Sequence, residues 1–433
     1  MIRAAASTQP LDASASRMVS WRIFSLRNIV RFFFQQFAFG LLLFQTHLCG
    51  STQETKTPPV SADLQFASGQ SARRIPFELV GNHIYLRGSV NNSEPLWFLL
   101  DTGAAGSYLD AQHAKALGLG VQGESKTVVI SFPGVRLRNQ AFSVQPLGFW
   151  IYDGHAVDGM LGYDFISRFV VQIDYANRTI NLFEPQDYKY LGSGEVIPLI
   201  MLEDDSGGKV PLVRARIMQL GRDPIEGKFI ADTGVRSALS FNSPFVEANK
   251  LLQSTQKTIQ APLGGGSMVR ESKQPVGRVP NLGLGSFTFK NPVAIFFLDK
   301  KGVLASPEFD GVIGGEILRR FKVVFDYSHQ QMILEPNRHL SEPDEYDMSG
   351  LLLIAEGEDF KILKVRHLVA DSPATVAGLR EGDIISAVNG TLASKLSLEQ
   401  VRTMFKREGQ SYLLSIKRGD EKIQTRIRLR RLI

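Results

Sequence analysis

Residues 158–182, DGMLGYDFISRFVVQIDYANRTINL, align without a gap on residues 310–334, DGVIGGEILRRFKVVFDYSHQQMIL. Asp158, Gly159, Gly162, Arg168, Phe169, Val171, Asp174, Tyr175 and Leu182 return 152 residues later as Asp310, Gly311, Gly314, Arg320, Phe321, Val323, Asp326, Tyr327 and Leu334. A second matched element lies upstream of each: residues 96–103, LWFLLDTG, in the first copy and 228–234, KFIADTG, in the second, here 131 residues apart. Self-similarity of this kind means that one structural unit is built twice. The two offsets leave about 21 additional residues between the matched elements of the second copy.

Within each copy, apolar and polar residues alternate in short runs bounded by Gly, Asn and Asp, the pattern of strands joined by tight turns. Residues 170–182 and 322–334 predict hairpins turning at Ala176-Asn177 and Ser328-His329. Helices should be short. Asp110 is placed to cap one over residues 111–117, and Ser243, with Pro244 at the first helical position, to start another over 244–252.

An Asp at the end of an apolar strand, followed by Thr and Gly, is a carboxylate delivered to a partly buried turn. Gly relieves the steric limit on the loop, and Thr offers a hydroxyl for internal hydrogen bonding. A lone Asp-Thr-Gly reads as a surface turn. Two of them, each after an apolar run and each followed by Asp-Gly-x-x-Gly at a repeated position, point to paired carboxylates. On these residues the chain resembles the aspartic proteases, in particular their retropepsin-like bacterial branch, over about residues 75–337. Asp101-Thr102-Gly103-Ala104 and Asp232-Thr233-Gly234-Val235 match the active-site loops, and Met160-Leu161-Gly162 and Val312-Ile313-Gly314 match the apolar-Gly segments that pass behind them in the family. The resemblance implies a mainly β fold with two retropepsin-like β-barrel lobes in one chain, at 74–187 and 188–337. It implies catalytic Asp101 and Asp232, loops supported by Thr102, Gly103, Thr233, Gly234, Gly162 and Gly314, and a monomeric bilobal enzyme.

Two carboxylates held about 3 Å apart cannot both ionise, so such a pair shares one proton over a range of pH. The ionised member serves as general base toward water and the protonated member donates to the scissile carbonyl. This chemistry needs no metal or cofactor. Pepsin-like enzymes commonly carry Ser or Thr after the loop Gly, whereas Ala104 and Val235 stand here. Loss of those hydroxyl donors should raise the pKa values of the pair, which predicts an optimum at weakly acidic to neutral pH. Substrate-covering flaps are expected around Phe132-Pro133-Gly134 and around Leu263-Gly264-Gly265-Gly266-Ser267, where an ordinary flexible turn is the competing reading.

Residues 338–347 turn polar and acidic and read as a linker. Beyond them, Ser349-Gly350-Leu351-Leu352-Leu353 and the run 371–390, DSPATVAGLREGDIISAVNG, resemble a PDZ domain of the bacterial kind, an α+β fold over 345–433. By that resemblance Gly350, Leu351, Leu352 and Leu353, with Leu398 and Val401 of a following helix, flank a groove in which a peptide adds a strand and presents its C-terminal carboxylate. Ser397 and Gln400 form a capping box for the helix. The competing reading is a PDZ fold packed on the lobes as a structural lid.

The composition is that of a globular chain: 433 residues, 43% hydrophobic and 21% charged. A single cysteine, Cys49, excludes an intrachain disulfide and a thiolate zinc site, and the seven histidines form no HExxH. The net charge of +6 is concentrated at the ends. Arg426, Arg428 and Arg430 alternate with Ile427 and Leu429 as on a half-buried strand with a basic outer face, so no nucleic-acid partner is expected. Five arginines precede the apolar run at 32–44, the order of an export signal, and initiation at Met18 would give one of more usual length. Cys49 stands where a bacterial lipoprotein carries its lipid, although Thr46 and Leu48 depart from the lipobox. Lipoprotein, cleaved signal and uncleaved anchor at 1–49 all remain open, and 50–73 reads as a flexible tether. Each reading places the rest of the chain in the bacterial cell envelope. The expected partners are peptide or protein substrates and a PDZ ligand with a free or exposed C-terminus. The competing function is a catalytically silent peptide-binding scaffold. A PDZ-bearing serine protease is excluded, because no Gly-x-Ser-x-Gly occurs.

Overall fold

The structure is a computed structural model that describes residues 63–148, 150–263 and 272–433. The expected export signal, Cys49 and most of the tether lie outside the described residues. Among the described residues no helix is long and apolar enough to cross a membrane.

The fold is mainly β. The first copy consists of β1 (Leu64–Phe66), β2 (Ser71–Val80), β3 (His83–Val90), β4 (Leu96–Leu100), β5 (Tyr108–Asp110), β6 (Ser125–Phe132), β7 (Val135–Gln145), β8 (Gly159–Leu161), β9 (Val170–Asp174) and β10 (Thr179–Phe183). Strand structure begins earlier than the expected Arg74. Leu64 and Phe66 pair with Leu137 and Val135, and Ala72 of β2 is buried. Leu64 and Phe66 also pack on the core, Phe66 against Phe169, but two apolar residues in a polar stretch carry little strand signal. The matched elements then meet: β4 runs parallel to β8, with Phe98, Leu99 and Leu100 opposite Gly159, Met160 and Leu161.

The second copy repeats the plan through β11 (Glu195–Pro198), β12 (Ile200–Glu203), β13 (Lys209–Gln219), β14 (Arg222–Ala231), β15 (Leu239–Phe241), β16 (Thr258–Leu263), β17 (Ser272–Arg278), β18 (Asn281–Leu284), β19 (Phe287–Lys290), β20 (Val293–Phe296), β21 (Gly311–Ile313), β22 (Phe321–Asp326) and β23 (Gln331–Pro336). Here β14 runs parallel to β21, with Phe229, Ile230 and Ala231 opposite Gly311, Val312 and Ile313, the same register as in the first copy. The two repeated hairpins turn where expected and join in the order β10-β9-β22-β23. Val323 pairs with Ile173, Val324 with Gln172 and Phe325 with Val171. Residues 172 and 324 are equivalent in the repeat, so a local two-fold axis relating the copies passes through their pair.

Asp110 caps the helix Ala111–Ala116 as expected, accepting from the Gln112 N–H at 2.9 Å. The helix near 244 differs. Asn242 is its N-cap residue, while Ser243 Oγ donates to the Asp299 and Leu304 carbonyls. It stops at Ala248 because Lys250 adopts a left-handed backbone conformation (φ 50°), and a second short helix, Leu251–Ser254, follows.

The C-terminal domain has β24 (Leu351–Glu356), β25 (Ile362–Leu368), β26 (Ile384–Val388), β27 (Thr391–Leu392), β28 (Ser411–Arg418) and β29 (Glu421–Arg428), with the path β24-β25-β26-β28-β29. Its helix Leu398–Met404 carries the Ser397/Gln400 capping box. Ile427 and Leu429 point inward, and Arg426 and Arg428 outward. The domain packs against the second copy: Val369 and Ile433 join Ala261, Val276 and Val293 in one apolar cluster. The preceding linker is fastened, since Arg278 Nη1 donates to the Asp344 carbonyl at 2.8 Å and the Val293 N–H donates to Asp344 Oδ2 at 2.8 Å.

Candidate active site

Both Asp-Thr-Gly loops sit where a strand leaves a parallel pair. The Asp101 N–H donates to the Leu161 carbonyl at 3.0 Å, and the Asp232 N–H to the Ile313 carbonyl at 2.9 Å. The loops are tied to each other through their threonines. Thr102 Oγ1 donates to the Ala231 carbonyl and Thr233 Oγ1 to the Leu100 carbonyl, each at 2.7 Å. In return, Thr102 N–H donates to Thr233 Oγ1 at 3.1 Å and Thr233 N–H to Thr102 Oγ1 at 3.0 Å. Both side chains are buried, so four polar groups are satisfied in a place that water does not reach.

Gly103 N–H donates to Asp101 Oδ1 at 2.9 Å and Gly234 N–H to Asp232 Oδ1 at 2.7 Å. A methyl group at Gly103 would overlap the Asp232 carboxylate, and one at Gly234 would overlap that of Asp101. Only glycine lets the carboxylates come together here. Gly162 and Gly314 are equally constrained, because a Cβ on either would run into the backbone behind the loops, at Gly106 and Ala104 or at Ser237 and Val235. Asp158 and Asp310, the repeated acids, brace the strands before the loops by accepting from the Trp97 and Lys228 N–H groups at 2.7 Å.

Burial, then the charge of Asp232 and the hydrogen bond with it, push the Asp101 pKa well above the usual carboxylate range. Burial also raises that of Asp232, against the hydrogen bonds from Gly234 and Asp101. The pair therefore retains one proton at pH values where an exposed Asp has lost it. Tyr175 and Tyr327, equivalent in the repeat, have buried hydroxyls with no hydrogen-bond partner among the described residues. Burial and then the Asp232 charge raise both of their pKa values.

Asp101 opens onto a cavity of about 470 Å³, whose wall includes His83, Asp153, Arg236, Leu353 and Arg402. Tyr85 OH donates to Asp153 Oδ2 at 2.6 Å, His83 Nδ1 lies 2.9 Å from the same oxygen, and Arg236 Nη1 lies 3.3 Å from Oδ1. Burial pushes the Asp153 pKa up, yet His83, Arg236 and Tyr85 together hold it below the carboxylate range. Sequence reasoning found Leu353 but not His83, Tyr85, Asp153, Arg236 or Arg402, because these come from distant segments and follow no local pattern.

The expected flap at Phe132-Pro133-Gly134 lies elsewhere. Its tip rests on Ala72, Phe132 is buried against Phe98 and Phe165, and none of the three lines the cavity. Leu263 lines the cavity; Gly264, Gly265, Gly266 and Ser267 lie outside the described residues. In the C-terminal domain, Gly350, Leu351, Leu352 and Leu353 also border the cavity. Leu398 and Val401 are both buried in the domain core, and neither borders the cavity. The next residue, Arg402, borders it instead, with Nη2 donating to the Leu353 carbonyl at 3.0 Å.

Residues 86–165 match a family model described as aspartyl protease, and residues 364–418 one described as PDZ domain. No match is found among curated proteins. Among solved structures, the aspartic proteinase from Irpex lacteus is 14% identical, with 63% of this chain and 99% of that one covered at a TM-score of 0.40. The photosystem II D1 C-terminal processing protease is 23% identical over 20% of this chain and 23% of its own, at a TM-score of 0.19. An aminopeptidase N family protein from Idiomarina loihiensis is 22% identical over 21% and 15%, at 0.18. An aspartyl protease-like domain and a PDZ domain thus stand in one chain.

Proposed function

We propose that this chain is an aspartic endopeptidase whose PDZ domain binds polypeptide C-termini to select substrates or regulate cleavage. The observation that carries the reading is the pair of carboxyl groups, each seated against the other loop's glycine and each with a pKa raised by burial. The ionised carboxyl takes a proton from water as its oxygen attacks the peptide carbonyl carbon, and the other carboxyl protonates the carbonyl oxygen. Collapse of the resulting diol breaks the C–N bond, and the leaving nitrogen receives a proton from the pair. No acyl-enzyme forms. Asp101 and Asp232 are the catalytic residues, and the threonine network holds their loops in register. The basic and apolar N-terminal sequence supports placement in the cell envelope.

Cleavage of casein by the whole chain across pH 3 to 8 tests the reading. Asp101→Asn and Asp232→Asn should each lower the rate by about 10²–10⁴-fold, the usual worth of an acid or base. A folded chain inactive at every pH, with and without a C-terminal peptide, would favour the peptide-binding scaffold.

A further inference from the structure

A short segment of the first lobe enters the PDZ groove. Gly154 follows the short helix Trp150–Asp153 of the first lobe, and a methyl group added to it would stand 3.1 Å from Ala355 Cβ on β24 and 3.1 Å from Leu398 Cβ on the facing helix. Gly154 thus lies between the two walls of the groove, and its φ of 64° adds a second demand for glycine. The Trp150–Asp153 helix packs along β24. In its sheet β24 pairs with β25 alone, so its other edge is the one that an incoming peptide strand would use. Arg402 lies there against Leu353, with its Nη1 lacking an acceptor among the described residues.

The other side of the same segment is clamped beside the dyad. Asp153 is held by His83, Tyr85 and Arg236, and Arg236 Nη1 also donates to the Tyr152 carbonyl at 3.2 Å. Arg236 follows Asp232 by four residues. One short segment therefore joins the PDZ groove to an active-site loop, and the docked domain walls the cavity onto which Asp101 opens.

We propose that residues 150–154 are an intramolecular ligand of the PDZ groove, that this contact keeps the domain closed over the dyad, and that a polypeptide with a free C-terminus competes for the groove and opens the cavity. The proposal rests on the proteolytic reading above. The free carboxylate supplies the acceptor that Arg402 Nη1 lacks, and the apolar Leu351, Leu352 and Leu398 favour an apolar last residue.

Crowding the contact tests it. Gly154→Leu puts a side chain where Ala355 and Leu398 leave no room, at a backbone φ that already favours glycine, and should release the segment from the groove. The probe is a fluorescein-labelled decapeptide ending in Val-Val, with a free carboxylate or a C-terminal amide. Gly154→Leu should bind the carboxylate form at least about tenfold more tightly than the unaltered chain, because the competent fraction scales apparent affinity. It should also cleave casein at least about tenfold faster. The unaltered chain should be accelerated by the carboxylate peptide and not by the amide. Glu399→Arg, which replaces an anion that shares the surroundings of Gly81 with Arg236, should act in the same direction. Unchanged peptide affinity in both variants while circular dichroism shows them folded, or slower cleavage with the carboxylate peptide bound, would overturn the proposal. If the chain cleaves nothing in any state, the proteolytic reading fails, while peptide polarisation still decides whether residues 150–154 compete for the groove.

Discussion

The two lobes are alike around Asp101 and Asp232 and unlike a short way beyond them. Thr102 and Thr233 exchange equivalent hydrogen bonds, Gly162 and Gly314 meet equivalent backbone, and Asp158 and Asp310 brace equivalent strands. One step outward the equivalence ends. Asp164 and Glu316 occupy matched positions, yet Asp164 accepts from Ser107 Oγ at 2.5 Å, whereas Glu316 is gripped by Arg319 and Arg320 at 2.5 and 3.1 Å. Burial raises the pKa of Asp164; the arginines overcome burial and lower that of Glu316. Asp101 and Asp232 sit in matched surroundings, and each periphery is free to answer to its own neighbours.

The largest effects should fall at the symmetric centre. Gly103→Ala and Gly234→Ala should each reduce casein cleavage about 10²-fold or more, since a displacement near 1 Å at the reacting groups costs that much. The losses should be similar, and a loss confined to one lobe would break the equivalence.

The periphery should respond unequally. Glu316→Gln removes the charge that pairs with Arg319 and the buried Arg320, which keep Glu342 and backbone carbonyl acceptors, and should cost about 1–3 kcal/mol in urea unfolding at pH 7. Asp164→Asn should stay within about 1 kcal/mol, the range of ordinary polar changes. Acid separates them by sign. The lowered Glu316 pKa gives stability that is complete above the unfolded value and lost as pH falls through the folded value. The raised Asp164 pKa favours the folded state while protonated, and that contribution is lost as pH rises through the folded value. Glu316→Gln should therefore flatten the acid loss of stability, and Asp164→Asn should remove a neutral-pH cost. Matching pH profiles for the two variants would show that the lobes do not differ in this way.

Asp153→Asn sharpens the contrast from the first-lobe side, where the cluster has no counterpart at the matched site. It should lower stability at pH 7 by about 3 kcal/mol through loss of a buried charge partner, measured as the urea midpoint. The smallest expected change is in pH dependence. Ala104→Ser and Val235→Ser restore a hydroxyl beside each carboxyl and should move the alkaline limb of casein cleavage down by about one pH unit, as a hydrogen bond to the charged form does. An unmoved limb would mean that the hydroxyl does not reach the pair.

The matched pattern of residues 158–182 and 310–334, together with two Asp-Thr-Gly runs, was sufficient to read a duplicated β unit and the pair Asp101/Asp232, because strand period and glycine requirements are local properties. Hairpin turns and the Asp110 and Ser397 caps were legible for the same reason. His83, Asp153, Arg236 and Arg402 were not, since their meaning lies in contacts between segments tens of residues apart. The choice of Val401 over Arg402 shows a second limit. An apolar bias selects the core-facing valine, whereas the arginine beside it is the residue that borders the cavity. Leu64 and Phe66 escaped because two apolar residues within a polar, Gly- and Ser-rich stretch show no periodicity, although both pack on the core.

The pairing of Gln172 with Val324 on the local two-fold has a consequence for what one covalent chain permits. In a dimer of identical subunits an axial position faces its own twin, so every substitution there is made twice and must be compatible with itself. Joining the copies end to end removes that self-compatibility requirement. A glutamine can then face a valine, Asp164 can differ from Glu316, and one lobe can offer a segment to the C-terminal domain while the other offers it an apolar wall.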